Sequence, residues 1–596
     1  MSFEDLNAEA RRIVERYEVP KAAMLPVLWL VQESRGYVSP DSEVWVASTL
    51  GVSRSQVREA VTFYNMFHTQ PVGRRELRVC TSLPCRLRGS EALLARIEES
   101  LGIKPGETTP GGEVTLTEVE CLCACEMAPM AQLDERFVGP IEAEAAATLV
   151  ADALAAPGSP DSTPEPEPYI STDGPVLSAR LGNIDGTWID AYLADGGYEA
   201  ARKALTSMTP EDVIEEVKAA KLRGLGGAGF PAGVKWSFVP KDSPKPKYLV
   251  VNADEGEPGT FKDRYLLERD PHALLEGMVI AAYAIGSHKA YVYIRGEYFL
   301  SAKRLQKAID EARDHGWLGA DIQGTGFDLE VVVHRGAGAY ICGEETALLT
   351  SLEGGKGFPK LKPPFPAVSG LFACPTIVNN VETLSCVPYI LREGAARFLE
   401  IGTEAQGGTR LFCVAGHVAT PGVYEAPVSV TLRELIDRAG GVSGGGQLKA
   451  VVPGGISAKI LTADEIDVRM DFDSLAAAGS MAGSGGVIVM DDSTSMVSAL
   501  EAAVDFFADE SCGQCSPCRE GTGWIRRIVH RMTDGRGGAD DLEALLAIAG
   551  DMEGKTICVF ADAAAWPVQS YIHKFRDEFE AFVRGGQASD SEADVA

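Results

Sequence analysis

The sequence has 596 residues, 45% of them hydrophobic, which is enough for several domains with large cores. With 55 Lys and Arg against 85 Asp and Glu its formal net charge is −30, which argues against nucleic acid or an anionic membrane surface as the partner. It has no apolar run long enough to cross a bilayer and no basic, apolar leader, so we expect a cytoplasmic protein that reaches a membrane only through other subunits.

The first part of the chain predicts a helical region followed by a small α/β unit. Apolar periodicity favours helices in residues 1–72, one of them beginning near Ser53, and we assign this range to a helical bundle. In residues 73–154 short alternating strands at 77–79 and 114–119 flank a helix over 91–101. Cysteines stand at the ends of both predicted strands, which indicates a metal-binding role for this unit.

Four of the thirteen cysteines, Cys80, Cys85, Cys121 and Cys125, form two pairs on separate loops. In a reducing compartment such thiols favour metal or cluster binding over disulfides. Four converging thiolates suit an iron-sulfur cluster, with zinc as the alternative, although structural zinc sites favour shorter spacing within a pair. Cys123 lies between two predicted ligands, and by chain direction we expect it to point away as a small buried residue.

A polar, proline-rich segment at 155–173 has the composition of an extended linker. The α/β domain at 174–400 follows, and it contains the stretch LRGLGGAGFPAGVKW at 222–236. A helix is predicted to begin after Thr209 and to end at Gly224, where a glycine-rich loop starts. Such a loop can close its N–H groups on an anionic or planar ligand, but a purely steric turn is the alternative interpretation.

Strands and helices alternate through the rest of this domain and predict a doubly wound parallel sheet with its site at the carboxyl ends of the strands. An ordinary dinucleotide fingerprint is disfavoured because the glycines follow a helix instead of a strand. Acidic residues on the loops can bind a flavin or nicotinamide, or can simply begin helices; they are Asp254, Glu255, Glu257, Glu344 and Glu345. The isolated cysteines are interpreted as core residues: Cys342, Cys374, Cys386 and Cys413.

The last third predicts two further domains. Residues 409–490 fit a small β-grasp domain without chemistry of its own, and residues 495–582 are helical. The helical domain contains Cys512, Cys515 and Cys518, whose spacing wraps three corners of a 4Fe-4S cluster, and the distant Cys558 supplies the fourth ligand. The acidic tail at 586–596 is predicted to be disordered.

Assembled, these residues resemble the electron-input module of respiratory complex I, as a fusion of two subunits that are usually separate. Residues 1–155 look like the 2Fe-2S thioredoxin-like subunit, through the motifs at 102–110 and 119–121. Residues 174–582 look like the flavoprotein subunit, through the motifs at 252–264, 335–347, 361–366, 379–383, 510–523 and 554–568. The same module recurs as the diaphorase of NAD-dependent formate dehydrogenases and NAD-reducing hydrogenases.

The resemblance implies a multidomain α/β fold: a helical bundle with a thioredoxin-like domain, an α/β FMN domain, a β-grasp domain of SLBB type and a C-terminal helical bundle. It implies FMN contacts from Gly224, Gly226, Asn252, Asp254, Glu255, Tyr340, Gly343, Glu344, Asn379 and Asn380. NADH contacts are implied for Phe230, Lys235, Phe238, Glu257, Lys362 and Phe365, and further cofactor contacts for Gly227, Glu345 and Thr383.

Three positions depart from the resembled family. Leu225 replaces a common arginine, Gly256 replaces a serine or glutamate, and Cys123 replaces a glycine. The first two lie in the cofactor loops, so they affect the expected contacts to phosphate and ribityl groups. No covalent protein nucleophile is expected, because hydride transfer takes place on the flavin with Glu257 near the nicotinamide.

The expected function is an NADH dehydrogenase that passes hydride from NADH to FMN and then single electrons through iron-sulfur clusters towards quinone. The alternative is the diaphorase of a soluble formate dehydrogenase or NAD-reducing hydrogenase, and a non-redox scaffold is a third class. The segments at 554–558 and 563–568 favour the complex I type. Expected partners are other redox subunits that carry iron-sulfur clusters, or a formate dehydrogenase or hydrogenase catalytic subunit.

Overall fold

The computed structural model describes residues 2–156, 169–171, 174, 176–182 and 188–593, with side chains as far as residue 584. Within these ranges no helix is both long enough and apolar enough to cross a membrane. Most of the predicted linker, 155–173, lies outside the described residues.

Four helices form the N-terminal region: α1 (Phe3–Val14), α2 (Met24–Arg35), α3 (Pro40–Leu50) and α4 (Arg54–Phe63). Helix α4 begins where the sequence predicts, because the Ser53 hydroxyl accepts the Gln56 N–H while the Gln56 side chain accepts the Ser53 N–H. The buried faces of these helices pack on the central α/β domain, where the Trp29 indole donates to the carbonyl of Gly336.

The thioredoxin-like unit is a four-stranded sheet with three helices. Its elements are β1 (Arg75–Cys80), α5 (Leu83–Leu87), α6 (Ser90–Leu101), β2 (Val114–Val119), β3 (Ala131–Leu133), β4 (Arg136–Val138) and α7 (Ala146–Leu154). The strand order is β2-β1-β3-β4, and β1 and β2 are parallel with Cys80 opposite Val119. Parallel neighbours end at the same edge of a sheet, so the loops that follow Cys80 and Val119 meet there.

The linker prediction is wrong at its end, because Tyr169–Ile170 forms a strand, β5, in the sheet of the β-grasp domain. The Tyr169 ring packs on that of Tyr424, with 5.0 Å between centroids, and this contact holds the end of the segment on the β-grasp sheet.

The central domain contains α8 (Ile189–Ala194), α9 (Glu199–Ser207), α10 (Pro210–Ala219), α11 (Ala232–Ser237), β6 (Tyr248–Ala253), α12 (Lys262–Arg269), α13 (Pro271–Ile285), β7 (Lys289–Ile294), α14 (Phe299–Asp314), β8 (Glu330–Arg335), α15 (Glu345–Leu352), α16 (Pro366–Ser369), β9 (Thr376–Asn380), α17 (Val381–Ser385), α18 (Val387–Glu393) and α19 (Ala395–Ile401). All four strands are parallel, in the order β8-β7-β6-β9. Helix α10 begins after Thr209 as predicted but ends at Ala219, before Gly224, because Lys221 takes a left-handed φ of 50°.

The β-grasp domain follows with β10 (Thr409–Gly416), β11 (Gly422–Pro427), α20 (Leu432–Arg438), β12 (Leu448–Val452), β13 (Leu461–Thr462), α21 (Phe472–Ala477) and β14 (Gly486–Asp491). The C-terminal helices are α22 (Met496–Asp509), α23 (Ser516–Thr533), α24 (Asp541–Met552), α25 (Phe560–Lys574) and α26 (Arg576–Ala593). The backbone of α26 continues through 586–593, where the sequence predicts disorder.

The fold class inferred from the sequence is confirmed. We propose the domain limits where the sequence places them, at 1–72, 73–154, 174–400, 409–490 and 495–582, because β1 begins at Arg75, α7 ends at Leu154, β10 begins at Thr409 and α22 begins at Met496.

Candidate functional site

The central site lies at the carboxyl ends of β6 and β9. These strands are parallel neighbours with Asn252 opposite Asn380, so the polar residues that end them come together. The glycine-rich loop covers this edge, and the Leu225 N–H donates to Thr383 Oγ1 over 2.9 Å. The loop, both strand ends and Thr383 therefore form one cradle.

Close packing leaves no room for a side chain at Gly226 and little room at Gly343 of this cradle. A Cβ atom on Gly226 would lie 2.9 Å from Cβ of Asn380, and a Cβ on Gly343 would lie 3.3 Å from the carbonyl of Asp254. Gly224 closes the loop by donating to the Phe230 carbonyl over 2.8 Å. The steric interpretation is thus correct for Gly226, and it is compatible with a ligand because the same packing leaves backbone exposed to it.

Asp254 offers a buried acceptor without a protein donor. Its Oδ2 has no hydrogen-bond partner, and burial raises the pKa of the carboxyl well above its usual range. The preceding strand end is fixed by the Asn252 side chain, which donates to the Gly343 carbonyl over 2.8 Å. A ligand rich in hydroxyl groups, such as the ribityl chain of FMN, would supply the missing donor.

The neighbouring acids are used by the protein itself. Glu255 accepts N–H groups from Asp263 (2.9 Å) and Arg264 (3.1 Å) at the start of α12 and the hydroxyl of Tyr298 (2.9 Å). Burial raises the pKa of Glu255 to about 7. Glu257 accepts from the Ser457 N–H at 2.8 Å and the Tyr340 hydroxyl at 2.6 Å. Both side chains therefore fix the conformation of the loop that follows β6.

Glu344 and Glu345 have different roles. Glu344 caps α15 by accepting the N–H groups of Thr346 (2.8 Å) and Ala347 (2.9 Å), so its interpretation as a helix-start acid is confirmed. Glu345 pairs with Lys235 and Lys362, each at 2.8 Å. Burial alone raises the pKa of Glu345, but the two lysines overcome it and hold that pKa at about 2.

Exposed aromatic rings border the glycine loop. Phe230 and Phe238 lie with ring centroids 6.1 Å apart and are 47% and 53% exposed. Phe365, on the loop that carries Lys362, is 59% exposed. Large apolar rings beside ammonium groups favour a planar, anionic ligand.

The first cysteine set is buried at the shared edge of β1 and β2. The pKa of Cys80 is raised well above its usual range, chiefly by hydrogen bonds with Cys121 and Cys85. Hydrogen bonds from Cys123, Cys125 and Cys80 lower the pKa of Cys121 well below its usual range. Cys80, Cys85, Cys121 and Cys125 therefore converge, as the sequence predicts.

The prediction that Cys123 points away from Cys121 is wrong. Cys123 takes a left-handed φ of 50°, which turns its side chain back, and the two sulfurs lie 3.5 Å apart. A simple rule of alternating side chains fails here because this loop is not extended.

The second cysteine set lies between the start of α23 and the loop before α25. The Ile557 N–H points at Cys515 Sγ over 3.5 Å, which brings the Cys558 loop to the other thiols. Burial, followed by the Cys512 thiol, Glu344 and the Cys518 thiol, raises the pKa of Cys558 to about 12. Across the described ranges, no three His, Cys, Asp or Glu side chains are placed as ligands of a single metal ion.

Both cysteine sets contact the cofactor loops. The Tyr340 N–H donates to Glu510 over 2.9 Å, and its ring packs on Phe560 with 5.8 Å between centroids, next to the second set. Cys123, whose Sγ lies 3.5 Å from that of Cys121 in the first set, has its Sγ 3.7 Å from the Glu257 carbonyl. The second set is thus on the same side of the molecule as the glycine loop.

Two residues of the β-grasp domain reach this site, although the sequence indicates no chemistry there. Ser457 binds Glu257, and the buried Arg410 donates to the carbonyl of Leu225 over 3.1 Å. A fully buried arginine on a strand is unusual, but burial is not visible in the sequence. Of the departures, Leu225 is buried, and a side chain at Gly256 would meet the Tyr340 ring at 3.1 Å.

Four families match successive parts of the chain. They are described as thioredoxin-like 2Fe-2S ferredoxin (residues 10–154), Nuo51 FMN-binding domain (217–389), SLBB domain (410–489) and NADH-ubiquinone oxidoreductase-F iron-sulfur binding region (498–582). Over 410 residues, 69% of its length, the chain is 53% identical to an F subunit of the NADH-quinone oxidoreductase of Rhizobium meliloti and covers 97% of that protein. The chain belongs to the family of NADH-quinone oxidoreductase F subunits.

A second relative, the F subunit of the NADH-quinone oxidoreductase of Mycobacterium bovis, is 53% identical over 419 residues, which are 69% of this chain and 94% of the relative. The crystal structure of an NAD+-reducing NiFe hydrogenase in the H2-reduced state is also similar, with a TM-score of 0.84 and 31% identity. That match covers 94% of this chain and 92% of the hydrogenase chain, whereas the matches to the two F subunits each cover 69% of this chain.

The cofactors predicted from the sequence are confirmed by these families: FMN, a 2Fe-2S cluster and a 4Fe-4S cluster, with NADH as the substrate. The residues present fit these cofactors, because Asp254 has an unpaired buried acceptor for FMN and two sets of thiols converge as cluster ligands. The zinc alternative for the first set is therefore not supported.

Replacing Glu345 with Gln is expected to destabilise the protein at neutral pH by an amount on the order of 2 kcal/mol. The pKa of this carboxyl is about 2 in the folded chain against 4.5 unperturbed, so its contribution is present above pH 4.5 and is lost as the pH falls towards 2. Thermal midpoints of wild type and Glu345→Gln, followed by scanning fluorimetry, should differ at pH 7 and converge towards pH 3. The exposed Glu215, paired with Lys218, provides Glu215→Gln as a control with no such convergence.

Proposed function

We propose that this chain is the NADH-oxidising electron-input subunit of a complex I-type NADH:quinone oxidoreductase. The observation that carries the proposal is that one loop system joins the cradle to both cysteine regions: Tyr340 contacts Glu510 beside the second set, and Glu257 contacts Cys123 beside the first set. An NADH dehydrogenase function agrees with the family of F subunits and with its FMN and iron-sulfur regions.

The cradle is proposed to hold FMN. Asp254 would accept from the ribityl hydroxyls through its unpaired oxygen, while Gly226 and Thr383 bring backbone N–H groups of the loop to the ligand. Glu255 would support FMN binding indirectly by holding the loop in place, because both of its carboxylate oxygens already accept protein N–H groups. The full proposed set is Gly224, Gly226, Gly227, Asn252, Asp254, Glu255, Tyr340, Gly343, Glu344, Asn379, Asn380 and Thr383.

NADH is proposed to bind over the exposed rings of the same edge. Phe230 would stack on a ring of the dinucleotide, and Lys235 and Lys362 would attract its phosphates while Glu345 holds both ammonium groups in place. Glu257 is fixed near the nicotinamide by Ser457 and Tyr340 and is not free to rotate. Phe238 and Phe365 complete the proposed set.

When bound, FMN converts the two electrons of a hydride into single electrons that iron-sulfur clusters accept. The protein's part is placement and exclusion of water. Tyr340 is half-buried, with its hydroxyl on Glu257 and its N–H on Glu510, so it fixes the distance between the cradle and the second cysteine set. Cys512, Cys515, Cys518 and Cys558 would hold the 4Fe-4S cluster, and Cys80, Cys85, Cys121 and Cys125 the 2Fe-2S cluster.

We propose that a partner with iron-sulfur clusters docks beside the second cysteine set. Apolar side chains flank it on the surface: Val559 is 70% exposed, and Ile557 and Trp524 are also exposed. Cys558, a proposed ligand of the 4Fe-4S cluster, lies between Ile557 and Val559 in the sequence. A partner docked on these side chains would therefore receive electrons close to that cluster. A cytoplasmic position, next to a membrane through such partners, is part of the proposal.

A diaphorase of an NAD-reducing hydrogenase or formate dehydrogenase is the second candidate. The observation in its favour is that the similar hydrogenase chain spans both the 2Fe-2S and the flavoprotein regions. The F subunits of NADH-quinone oxidoreductases are the more similar in sequence, at 53% against 31% identity, and this favours the complex I type. A non-redox scaffold is disfavoured because both cysteine sets are complete.

Phe230→Ala is expected to raise KM for NADH about tenfold, since the loss of a stacking face costs about 1.4 kcal/mol. FMN content should stay unchanged, because Phe230 borders the cradle without closing it. Steady-state kinetics with ferricyanide as the electron acceptor measure this effect. Phe582→Ala, which truncates another exposed ring on α26, should leave KM at the wild-type value; an unchanged KM in Phe230→Ala contradicts the stacking role.

Cys518→Ala should leave NADH oxidation by a two-electron acceptor intact and abolish transfer to a one-electron protein partner. The variant removes one of the four proposed thiolates from the first turn of α23 while the cradle is unaltered. Rapid-mixing spectra should show that NADH still bleaches flavin absorbance. Cys386→Ala, in the core, is the control, and survival of transfer to the partner would falsify the cluster assignment.

The parent complex is tested by the composition of the native assembly. For a complex I type we expect membrane subunits to copurify and quinone reduction to depend on them. Elemental analysis should find iron without stoichiometric nickel, molybdenum or tungsten. Nickel in the assembly would point to a hydrogenase, and molybdenum or tungsten to a formate dehydrogenase.

A further inference from the structure

A fifth thiol lies against the first cysteine set. Cys123 is fully buried, and its Sγ is 3.5 Å from the Sγ of Cys121, one of the four proposed ligands of the 2Fe-2S cluster. The backbone N–H of Cys123 also points at Cys121 Sγ over 3.3 Å. Two donors of the same residue therefore converge on one ligand sulfur.

The backbone at this position favours glycine, not cysteine. With φ at 50°, Cys123 is in the left-handed region, where a side chain costs about 1 kcal/mol. A glycine would supply the same N–H to Cys121 without that cost. The thiol is therefore an addition to the backbone contact, and its contribution can be removed separately.

The thiol has two acceptors in reach. One is Cys121 Sγ, and the other is the carbonyl of Glu257 at 3.7 Å, on the loop proposed to lie near the nicotinamide. When Cys121 is a cluster ligand it is a thiolate, which accepts hydrogen bonds and donates none. Hydrogen bonds to a charged acceptor are the stronger ones, so the S–H of Cys123 should point to Cys121.

The surrounding contacts keep this arrangement fixed. The Arg295 guanidinium donates to the Cys121 carbonyl over 2.8 Å, and the Tyr298 hydroxyl contacts the Cys123 carbonyl at 3.5 Å. Both donors belong to the central domain and are themselves buried. The orientation of the two sulfurs is thus set from outside the loop, not by the loop alone.

We propose that the Cys123 thiol donates a hydrogen bond to the Cys121 ligand sulfur and thereby raises the reduction potential of the 2Fe-2S cluster. The proposal rests on the proposed function only in that this cluster is present. Reduction adds one electron to the cluster and increases negative charge on its ligand sulfurs. A donor at a ligand sulfur stabilises the reduced form more than the oxidised form, and no bond is made or broken in the protein.

The test is a redox titration of the full chain followed by EPR, with wild type, Cys123→Gly and Cys123→Ser compared. Cys123→Gly keeps the backbone N–H in its favoured conformation and removes the thiol. At a fixed potential its ratio of reduced to oxidised 2Fe-2S cluster should be about tenfold lower, which is a midpoint shift of about 59 mV for one electron. Cys123→Ser keeps a donor and should stay close to wild type.

The 4Fe-4S cluster of the same samples is an internal reference whose midpoint should not change. Cys386→Ala removes another buried thiol, in the core, and should leave both midpoints at the wild-type values. An unchanged 2Fe-2S midpoint in Cys123→Gly overturns the proposal. So does an equal shift in Cys123→Ser, which would assign the effect to sulfur itself, and so does loss of the cluster in Cys123→Gly, which would make Cys123 a ligand.

These outcomes are separable from failure of the proposed function. If wild-type protein, purified anaerobically, has no EPR signal from a 2Fe-2S cluster, then the function assigned to the first cysteine set fails. If the signal is present and its midpoint potential is the same with and without the Cys123 thiol, only the proposed effect of Cys123 on the potential fails.

Discussion

The structure depends on one buried guanidinium. Arg295 donates to the carbonyl of Glu255 and to the carbonyl of Cys121, each at 2.8 Å, and its charge is balanced by Glu297. A buried cation is costly unless it is paired and its N–H groups are used. Here its donors join the proposed flavin loop to the thiol loop of a different domain. The two redox regions are therefore positioned by the same residue.

The β-grasp domain supports this arrangement from the other side of the cradle. Arg410 donates to the carbonyls of Leu225 and Ala482, and Ser457 holds Glu257. The glycine-rich loop has few side chains that could fix its conformation, since several of its residues are glycines. Its conformation must then be fixed by neighbouring elements, and Arg410 and Ser457 of the β-grasp domain provide that support.

The sequence predicts those parts that follow from local chemistry. The cap at Thr209 begins α10, the cap at Ser53 begins α4, and parallel strands place Asn252 and Asn380 at one edge. The spacing of Cys512, Cys515 and Cys518 likewise places these three thiols close together, while Cys558 is brought to them by tertiary packing. The predictions that are wrong concern features that depend on the backbone conformation of a single residue or on contacts between distant parts of the chain.

Cys123 is the clearest example of such a failure, because one left-handed residue reverses the direction of its side chain. Arg410 and Ser457 have no signal in the sequence because only tertiary packing brings them to the cradle. The roles of Glu344 and Glu345 are separable only by geometry, since adjacent acids look alike in a sequence, but Glu344 caps a helix and pairs with Lys362, whereas Glu345 pairs with both Lys235 and Lys362.

Strand β5 affects how the two parts of the fused chain are held together. Residues 169–170 pair in parallel with 422–423, so the segment that leaves the thioredoxin-like unit is anchored on the β-grasp sheet. Two separate polypeptides would have to find each other at cellular concentration, and dilution could part them. Covalent joining with an anchored tether fixes their ratio at one to one and gives an effective concentration on the order of millimolar. Each newly synthesised chain therefore contains the thioredoxin-like unit and the flavoprotein region together.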